Sequence, residues 1–433
     1  MDISKNIVEE LNTLPRGYIS TKKIHGKNYS YLQYEEKGKL KSHYVRASEA
    51  DSVRAGLARR KEIELELKAY DFLGRNINKP SRRSRELTGS LMMGDIEVAG
   101  FNHGVCVWKN EDLCPLYIRR TSDLSGYLAS RAIDRNRTNS RLLKKLLNIH
   151  ESEDDMTALY SFGATLTDNY WFKVSGSKLR YKDISFTEDY YSDVALKGEI
   201  LYYPSSPKHS PQLTLTGSYE KCWKRINGEW WLYKKGTDRE IFSELFCSGL
   251  AVILNIPTAV YEYNDGYIRT RNFADMDNLE PMLAIAGEDD RYETVFTELD
   301  RLSVRIAKQY LKLMWFDLLV NNVDRHNENC GLMRSRADGK IIGLAPNYDN
   351  NLALISRTEI LNMDPSKDGF IKVFARFIKN TPKAEEYLRK MPYPKLEKKK
   401  VERCIEQLPL KFPQYNIAEY IMKRYEYLKS LLK

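Results

Sequence analysis

Apolar and polar residues alternate in three short runs near the start of the chain, Gly17–Ser20, Asn28–Tyr34 and Lys39–Val45. Gly-containing turns at His25–Lys27 and Lys37–Lys39 separate them, so the period of two predicts three strands. A short helix over 1–16, stopped at Pro15, is expected before them. Ala47 to Leu73 has helical composition and is closed by Gly74 and the loop Asn76–Ser84.

From Leu87 to about Glu199 short strands (Asp95–Phe101, Val105–Trp108) mix with helices expected over Leu124–Ile133 and Ser140–Leu147. Glu151–Asp155 reads as an acidic loop and Thr167–Val174 as an aromatic strand, and Ser and Pro between Pro204 and Pro211 read as a linker. Beyond it Leu213–Leu215 alternates as a strand, Thr216-Gly217-Ser218-Tyr219 turns, and Lys221–Ile226 returns as a strand. Asn227-Gly228 is a hairpin signal leading to a strand over Trp230–Lys234, and Asp238 is positioned to cap a helix over Arg239–Leu254. A strand follows at Tyr267–Thr270. Later, an apolar helix over Ala307–Val320 runs into the polar loop Asn321–Asn329, with strands at Cys330–Met333 and Ile341–Leu344. The pattern divides the chain into a small module (1–80), an accessory α+β region (85–205), a mostly stranded region (206–275) and a helical one (276–433).

At 433 residues the chain has room for about three domains at roughly 150 residues each. Hydrophobic residues make up 42% of it and charged residues 30%, enough for a sizeable core. The formal charge of +10 is uneven: residues 1–90 hold 19 basic and 12 acidic side chains. Lys and Tyr in that stretch suit a phosphate backbone and bases, or equally a solvated sheet docked on the main body. The longest uncharged apolar stretch, Leu245–Pro257, is too short to cross a bilayer, and the N-terminus lacks a signal pattern. The six cysteines show no Cys-x-x-Cys spacing. A soluble cytoplasmic protein with free thiols and no membrane partner is expected.

The order strand, small-residue turn, strand, hairpin, strand with Lys, helix with Glu is that of a nucleotide-binding kinase N-lobe. Backbone N–H groups of Thr216, Gly217 and Ser218 would approach phosphates, and a lysine held by a helix glutamate would offset their charge. On spacing alone the lysine is Lys234 or Lys235 and the glutamate Glu240 or Glu244. Asp324 followed by Asn329, a hairpin and then Asp349 has the catalytic spacing of a protein-kinase-type site. Asp324 would orient the acceptor hydroxyl or take its proton, and Asn329 and Asp349 would hold Mg²⁺. His326 is expected to order the loop by donating a hydrogen bond. The backbone of Arg271-Asn272-Phe273, where the chain leaves the stranded lobe, is a candidate to hydrogen-bond adenine, or equally a plain inter-lobe linker, and Trp230 and Trp231 read as lobe packing.

These residues resemble the HipA-like serine/threonine kinases of bacterial toxin–antitoxin systems. Asn322, Asp324, His326 and Asn329 match that family's Asn-x-Asp-x-His-x-x-Asn pattern, and Tyr348-Asp349 its later metal motif. Thr214 to Lys221 is similar to its Ser/Thr-rich phosphate loop. The resemblance selects Lys234 and Glu244 and covers about half the chain, from Leu213 onward. It implies an α+β, two-lobed protein-kinase-like fold with N-terminal accessory α+β regions, using ATP and Mg²⁺ to phosphorylate a protein substrate. It also implies autophosphorylation of a phosphate-loop hydroxyl, Thr214 by alignment, with Thr216 and Ser218 as alternatives. An antitoxin protein is an implied partner, and nucleic acid a further one through residues 1–90. Asp324-Arg-His-Asn-x-Asn also resembles the catalytic loop of phosphoinositide kinases, so a lipid or small-molecule kinase stays open, as does a nucleotide-binding pseudokinase.

Overall fold

The computed structural model describes residues 13–24, 27–36, 39–60, 87–150, 153–200, 209–356, 361 and 364–432. Most of the expected helix over 1–16 (residues 1–12), the far half of the helix expected after Ala47, the loop 76–84 and most of the 204–211 linker lie outside them. The chain forms two compact units, Met1–Lys79 and Pro80–Lys433.

In the first unit, β1 (Tyr18–Ile24), β2 (Lys27–Glu36) and β3 (Lys39–Val45) form an antiparallel sheet in chain order. Ser20 stands opposite Tyr31, and Tyr31 opposite Tyr44. Residues 50–60 are helical. Val45, on the same sheet face as Leu32 and Ile19, is buried, as is Ala50 at the head of that helix.

The second unit opens with a four-stranded antiparallel sheet of order β6-β5-β4-β7, from β4 (Gly89–Met93), β5 (Ile96–Asn102), β6 (Val105–Trp108) and β7 (Tyr170–Val174). The helix expected over Leu124–Ile133 ends at Ala129, because Arg131 turns inward to bind Asp168 at 2.6 Å. The segment read as an acidic loop instead starts a helix, Asp154–Leu159, with Asp154 and Asp155 in its first turn. Carboxylates there meet the positive end of the helix dipole, so acidity marks a helix start and not a loop.

A second sheet has order β10-β11-β9-β8, from β8 (Lys221–Ile226), β9 (Glu229–Lys234), β10 (Tyr261–Asn264) and β11 (Tyr267–Arg271). The strand expected over Leu213–Leu215 is absent: Pro211–Thr214 form a 3-10 turn capped by Ser210. The Gln212 side chain takes the pairing role instead, giving its Nε2–H to Trp223 O at 2.8 Å and accepting Trp223 N–H at 2.9 Å. The helix Asp238–Ile253 follows β9, capped by Thr237 and not Asp238; Glu240 closes the reciprocal capping box. Phe242 and Phe246 of this helix enter the large core that also holds Tyr310, Trp315 and Phe316 of the helix Val304–Val320. That core extends over the helices Gly369–Asn380, Pro382–Arg389 and Ile417–Leu431. β12 (Asn278–Pro281), β13 (Gly331–Arg334) and β14 (Ile341–Leu344) make a last small antiparallel sheet beside it.

Arginine hydrogen bonds to backbone carbonyls tie the accessory region to the rest. Arg334, fully buried, binds Glu280 and reaches Cys114 O at 2.9 Å and Asp112 O at 2.5 Å. Arg120 donates to Ala284 O and Leu283 O at 3.0 and 3.1 Å. Among the described residues no helix is long and apolar enough to cross a membrane.

Candidate active site

A cleft of about 430 Å³ lies between the β8–β11 sheet and the helical region, and the accessory region contributes to its wall. Thr214, Thr216, Gly217, Ser218, Lys234, Asn272, Phe273, Asp324, His326, Asn329 and Asp349 all line it. Glu244 lies behind this lining, fully buried.

Lys234, the last residue of β9, points into the cleft between two carboxylates. Its ammonium contacts Asp349 Oδ1 directly and stands 3.9 Å from Glu244 Oε2. Burial opposes the ammonium, but Asp349 and Glu244 outweigh it and raise its pKa. Asp349 shows the same contest: burial favours the neutral acid, yet Lys234 and Lys221 hold the carboxyl below its usual range. Burial raises Glu244, with Lys234 acting against the shift. Glu244 Oε1 accepts the Asn350 backbone N–H at 2.8 Å, which links the helix to the residue after Asp349. The neighbours on either side have other partners: Glu240 caps its helix and accepts Tyr219 O–H at 2.5 Å, while Lys235 lies 3.9 Å from Glu220.

The polar loop after Val320 is built around a buried arginine. Arg325 binds Asp317 at 3.0 Å and donates to Asn329 O and Tyr348 O, both at 2.6 Å. It also reaches Asn347 and Asn350 side-chain oxygens at 2.7 and 2.8 Å. One guanidinium therefore fixes the two segments that carry Asp324, Asn329 and Asp349 to each other. Asn322 Nδ2 donates to Asp317 Oδ1 at 3.0 Å, and its Oδ1 accepts Asp324 N–H at 3.3 Å. Asn329 gives its Nδ2–H to Asp324 O at 3.0 Å, which leaves its carbonyl oxygen for a cation. Asp349 adopts a left-handed backbone at φ +59°, a conformation Asp tolerates better than most residues. His326 differs from the expectation of a donor: its Nδ1 accepts the Glu328 N–H at 3.3 Å.

Among the described residues no group of three or more His, Cys, Asp or Glu is arranged to hold a metal ion. One carboxylate and one amide oxygen beside the exposed 216–218 loop would suit Mg²⁺, which keeps several waters and is bound through few protein oxygens.

The loop 216–218 is exposed, with Gly217 at φ +83°, while Thr214 is buried and donates its hydroxyl to Pro211 O at 2.8 Å. Thr214 is thus neither on a strand nor accessible. Two cations stand at this loop: Lys221, which ends the loop motif, and Arg137, which the sequence did not single out. Arg137, 2% exposed, donates to the carbonyls of Leu215, Thr216 and Gly217 at 2.7, 3.1 and 3.1 Å. Arg137 thereby anchors the loop through its carbonyls. Lys221 lies in the same wall, and a Cβ on Gly217 would stand 2.9 Å from its ammonium. Burial lowers the pKa of both cations, Arg137 to about 10, so an arriving anion would favour their charged forms.

At the far end Asn272 is clamped: its N–H pairs with Trp230 O at 2.8 Å and its Nδ2 with Leu166 O at 2.8 Å. The Asn272 backbone donor is therefore committed to β9 and not offered to adenine. Phe273 packs on Tyr348 with ring centroids 5.7 Å apart.

Residues 2–55 match the family model of a domain of unknown function, DUF6788. No curated protein matches the chain. Among solved structures, CtkA, described as a proinflammatory kinase of Helicobacter pylori, is 17% identical with a TM-score of 0.37, over 48% of this chain and 90% of that one. HipA of the Shewanella oneidensis MR-1 toxin–antitoxin system, solved with HipB and operator DNA, is 13% identical. Its TM-score is 0.52, over 79% of this chain and 97% of its own. At that identity the likeness is one of fold, and the fold is the HipA-like, two-lobed kinase fold with accessory α+β regions.

Proposed function

We propose that the chain is a HipA-like serine/threonine protein kinase that transfers the γ-phosphoryl of ATP to a protein hydroxyl. The observation that carries this reading is Lys234 held between Glu244 and Asp349 in a cleft that Asp324 and Asn329 also line. Within Pro80–Lys433 the proposed parts are an accessory region (85–205), an N-lobe (206–275) and a C-lobe (276–433). The backbone of residues 216–218 and Lys221 bind the phosphates, Lys234 positions them, and Asp324 orients the acceptor hydroxyl. Asn329 and Asp349 hold Mg²⁺, which when bound neutralises charge on the transferring phosphoryl group. Thr216 and Ser218 are the accessible sites for autophosphorylation, and Thr214 becomes one only if its turn opens. An antitoxin protein and a cytoplasmic setting belong to the same proposal.

The test is transfer of label from γ-labelled ATP to the chain itself and to a protein acceptor. Nucleotide binding without any transfer would identify a pseudokinase, and transfer only to phosphoinositide vesicles a lipid kinase. Lys234→Met should weaken nucleotide binding about 10- to 100-fold, the loss of one charge-assisted contact of about 1.5–3 kcal/mol; fluorescence anisotropy with a labelled ATP analogue reads it. Arg137→Met removes the anchor behind the loop and touches no phosphate. Its expected signature is a KM for ATP raised roughly tenfold with kcat within about threefold, whereas a misfolded variant would lose both.

A further inference from the structure

The sheet of the first unit has two unlike faces. Ile19, Leu32 and Val45 share one, and Val45 is buried there. The other carries Ser20 and Lys22 of β1, Tyr31 and Gln33 of β2, and Ser42 and Tyr44 of β3. Tyr18 and Tyr44 on this face are 56% and 46% exposed, high for large rings on a sheet. By register Lys22 and Lys27 fall on this face with Glu35, whereas Lys23, Lys39 and Lys41 fall on the Leu32 face. We infer that this face is a docking surface for duplex DNA, entering the major groove as a three-stranded ribbon. The inference is independent of the kinase reading, since none of its residues lines the cleft.

Three observations favour a duplex over other partners. Three strands about 4.8 Å apart span roughly 10 Å, close to the major groove's width of about 12 Å. The rings do not form an open stacking platform of the kind single strands need. Tyr44 packs against Tyr29 and Tyr31 at 6.1 and 5.7 Å, and the Lys22 ammonium sits 5.0 Å over the Tyr31 ring. Gln33 accepts the Tyr18 hydroxyl at 2.5 Å, which fixes its carbonyl and leaves its N–H₂ group to donate to base edges. Lys22 and Lys27, both exposed and on this face, are placed for phosphates, which supply most of the affinity and its salt dependence.

The experiment uses the full chain and a fluorescein-labelled mixed-sequence duplex, with anisotropy followed from about 50 to 200 mM salt. The expected result is binding that weakens steeply with salt. The double variant Lys22→Ala, Lys27→Ala should bind at least tenfold more weakly and flatten the log–log slope by about two. Gln33→Ala should weaken binding several-fold without changing that slope. Lys340→Ala, on an 83% exposed side chain of the other unit, should bind as the unaltered chain does. All these side chains are at least partly exposed, and unchanged melting curves certify the fold. No duplex binding at the lowest salt, equal binding by the double variant, or tighter binding of a single strand or RNA of the same sequence would each overturn the proposal. Phosphotransfer activity is unaffected by any of these outcomes.

Discussion

Asp324→Asn and Asp349→Asn are each expected to lower phosphotransfer about 10²- to 10⁴-fold, the range for removing a group that acts on the reacting proton or charge. The two should differ in nucleotide binding. Asp324 holds no phosphate in the proposed arrangement, so its variant should bind nucleotide as the unaltered chain does. Asp349 contacts Lys234 and is the proposed carboxylate partner of Mg²⁺, so its variant should lose the Mg²⁺ dependence of nucleotide binding. Label transfer and nucleotide anisotropy on the same preparations read both effects. Retained transfer in both variants would remove these roles from Asp324 and Asp349, and a collapse of both activities with the melting transition would instead indicate lost structure. Asn keeps the shape of each side chain, and Glu244 remains beside Lys234, so little loss of stability is expected.

Arg334→Ala is expected to cost about 3–5 kcal/mol of stability, because it leaves Glu280 as an uncompensated buried carboxylate. Burial already raises the Glu280 pKa, and Arg334 is the main counterweight. The carbonyls of Cys114, Asp112 and Gly339 lose their donor as well. At roughly 2–4 °C per kcal/mol the melting temperature should fall by about 10 °C, measured by thermal unfolding. The double variant Arg334→Met, Glu280→Leu should recover most of the loss, since a buried pair exchanged for apolar side chains of similar size is close to neutral. A fall of under about 1 kcal/mol in the single variant would show that the pair does not hold the accessory region in place.

The three strands of the small unit and β8, β9, β13 and β14 were all legible from alternation and turn residues, because both signals are local. The misreadings have local causes too. Leu213–Leu215 alternates like a strand, but Pro211 and the Ser210 cap bend it into a turn. Asp154 and Asp155 looked like loop chemistry until their place at a helix start was visible. Asp238 and Thr237 both carry capping oxygens, and only the backbone geometry selects Thr237.

The candidate site divides in the same way. Asp324, Asn329, Lys234 and the 216–218 turn could be named from the sequence because each sits in a short segment of characteristic order. Arg137 could not: its partners are the carbonyls of residues 215–217, some eighty positions away, and a lone arginine after a short helix carries no pattern. Arg325 stood inside the polar loop, yet only packing shows that it joins Asp317, Asn329 and Tyr348. Sequence alone therefore determined most of the elements and named the candidate side chains, since strand period, turn and motif are set by neighbours along the chain. The tertiary structure decided which lysine meets which glutamate, what anchors the 216–218 loop, and that the Thr214 hydroxyl is committed to Pro211 O. Those outcomes depend on burying charged groups against partners distant in sequence, where desolvation is tolerated only if the fold supplies the matching charge or carbonyl.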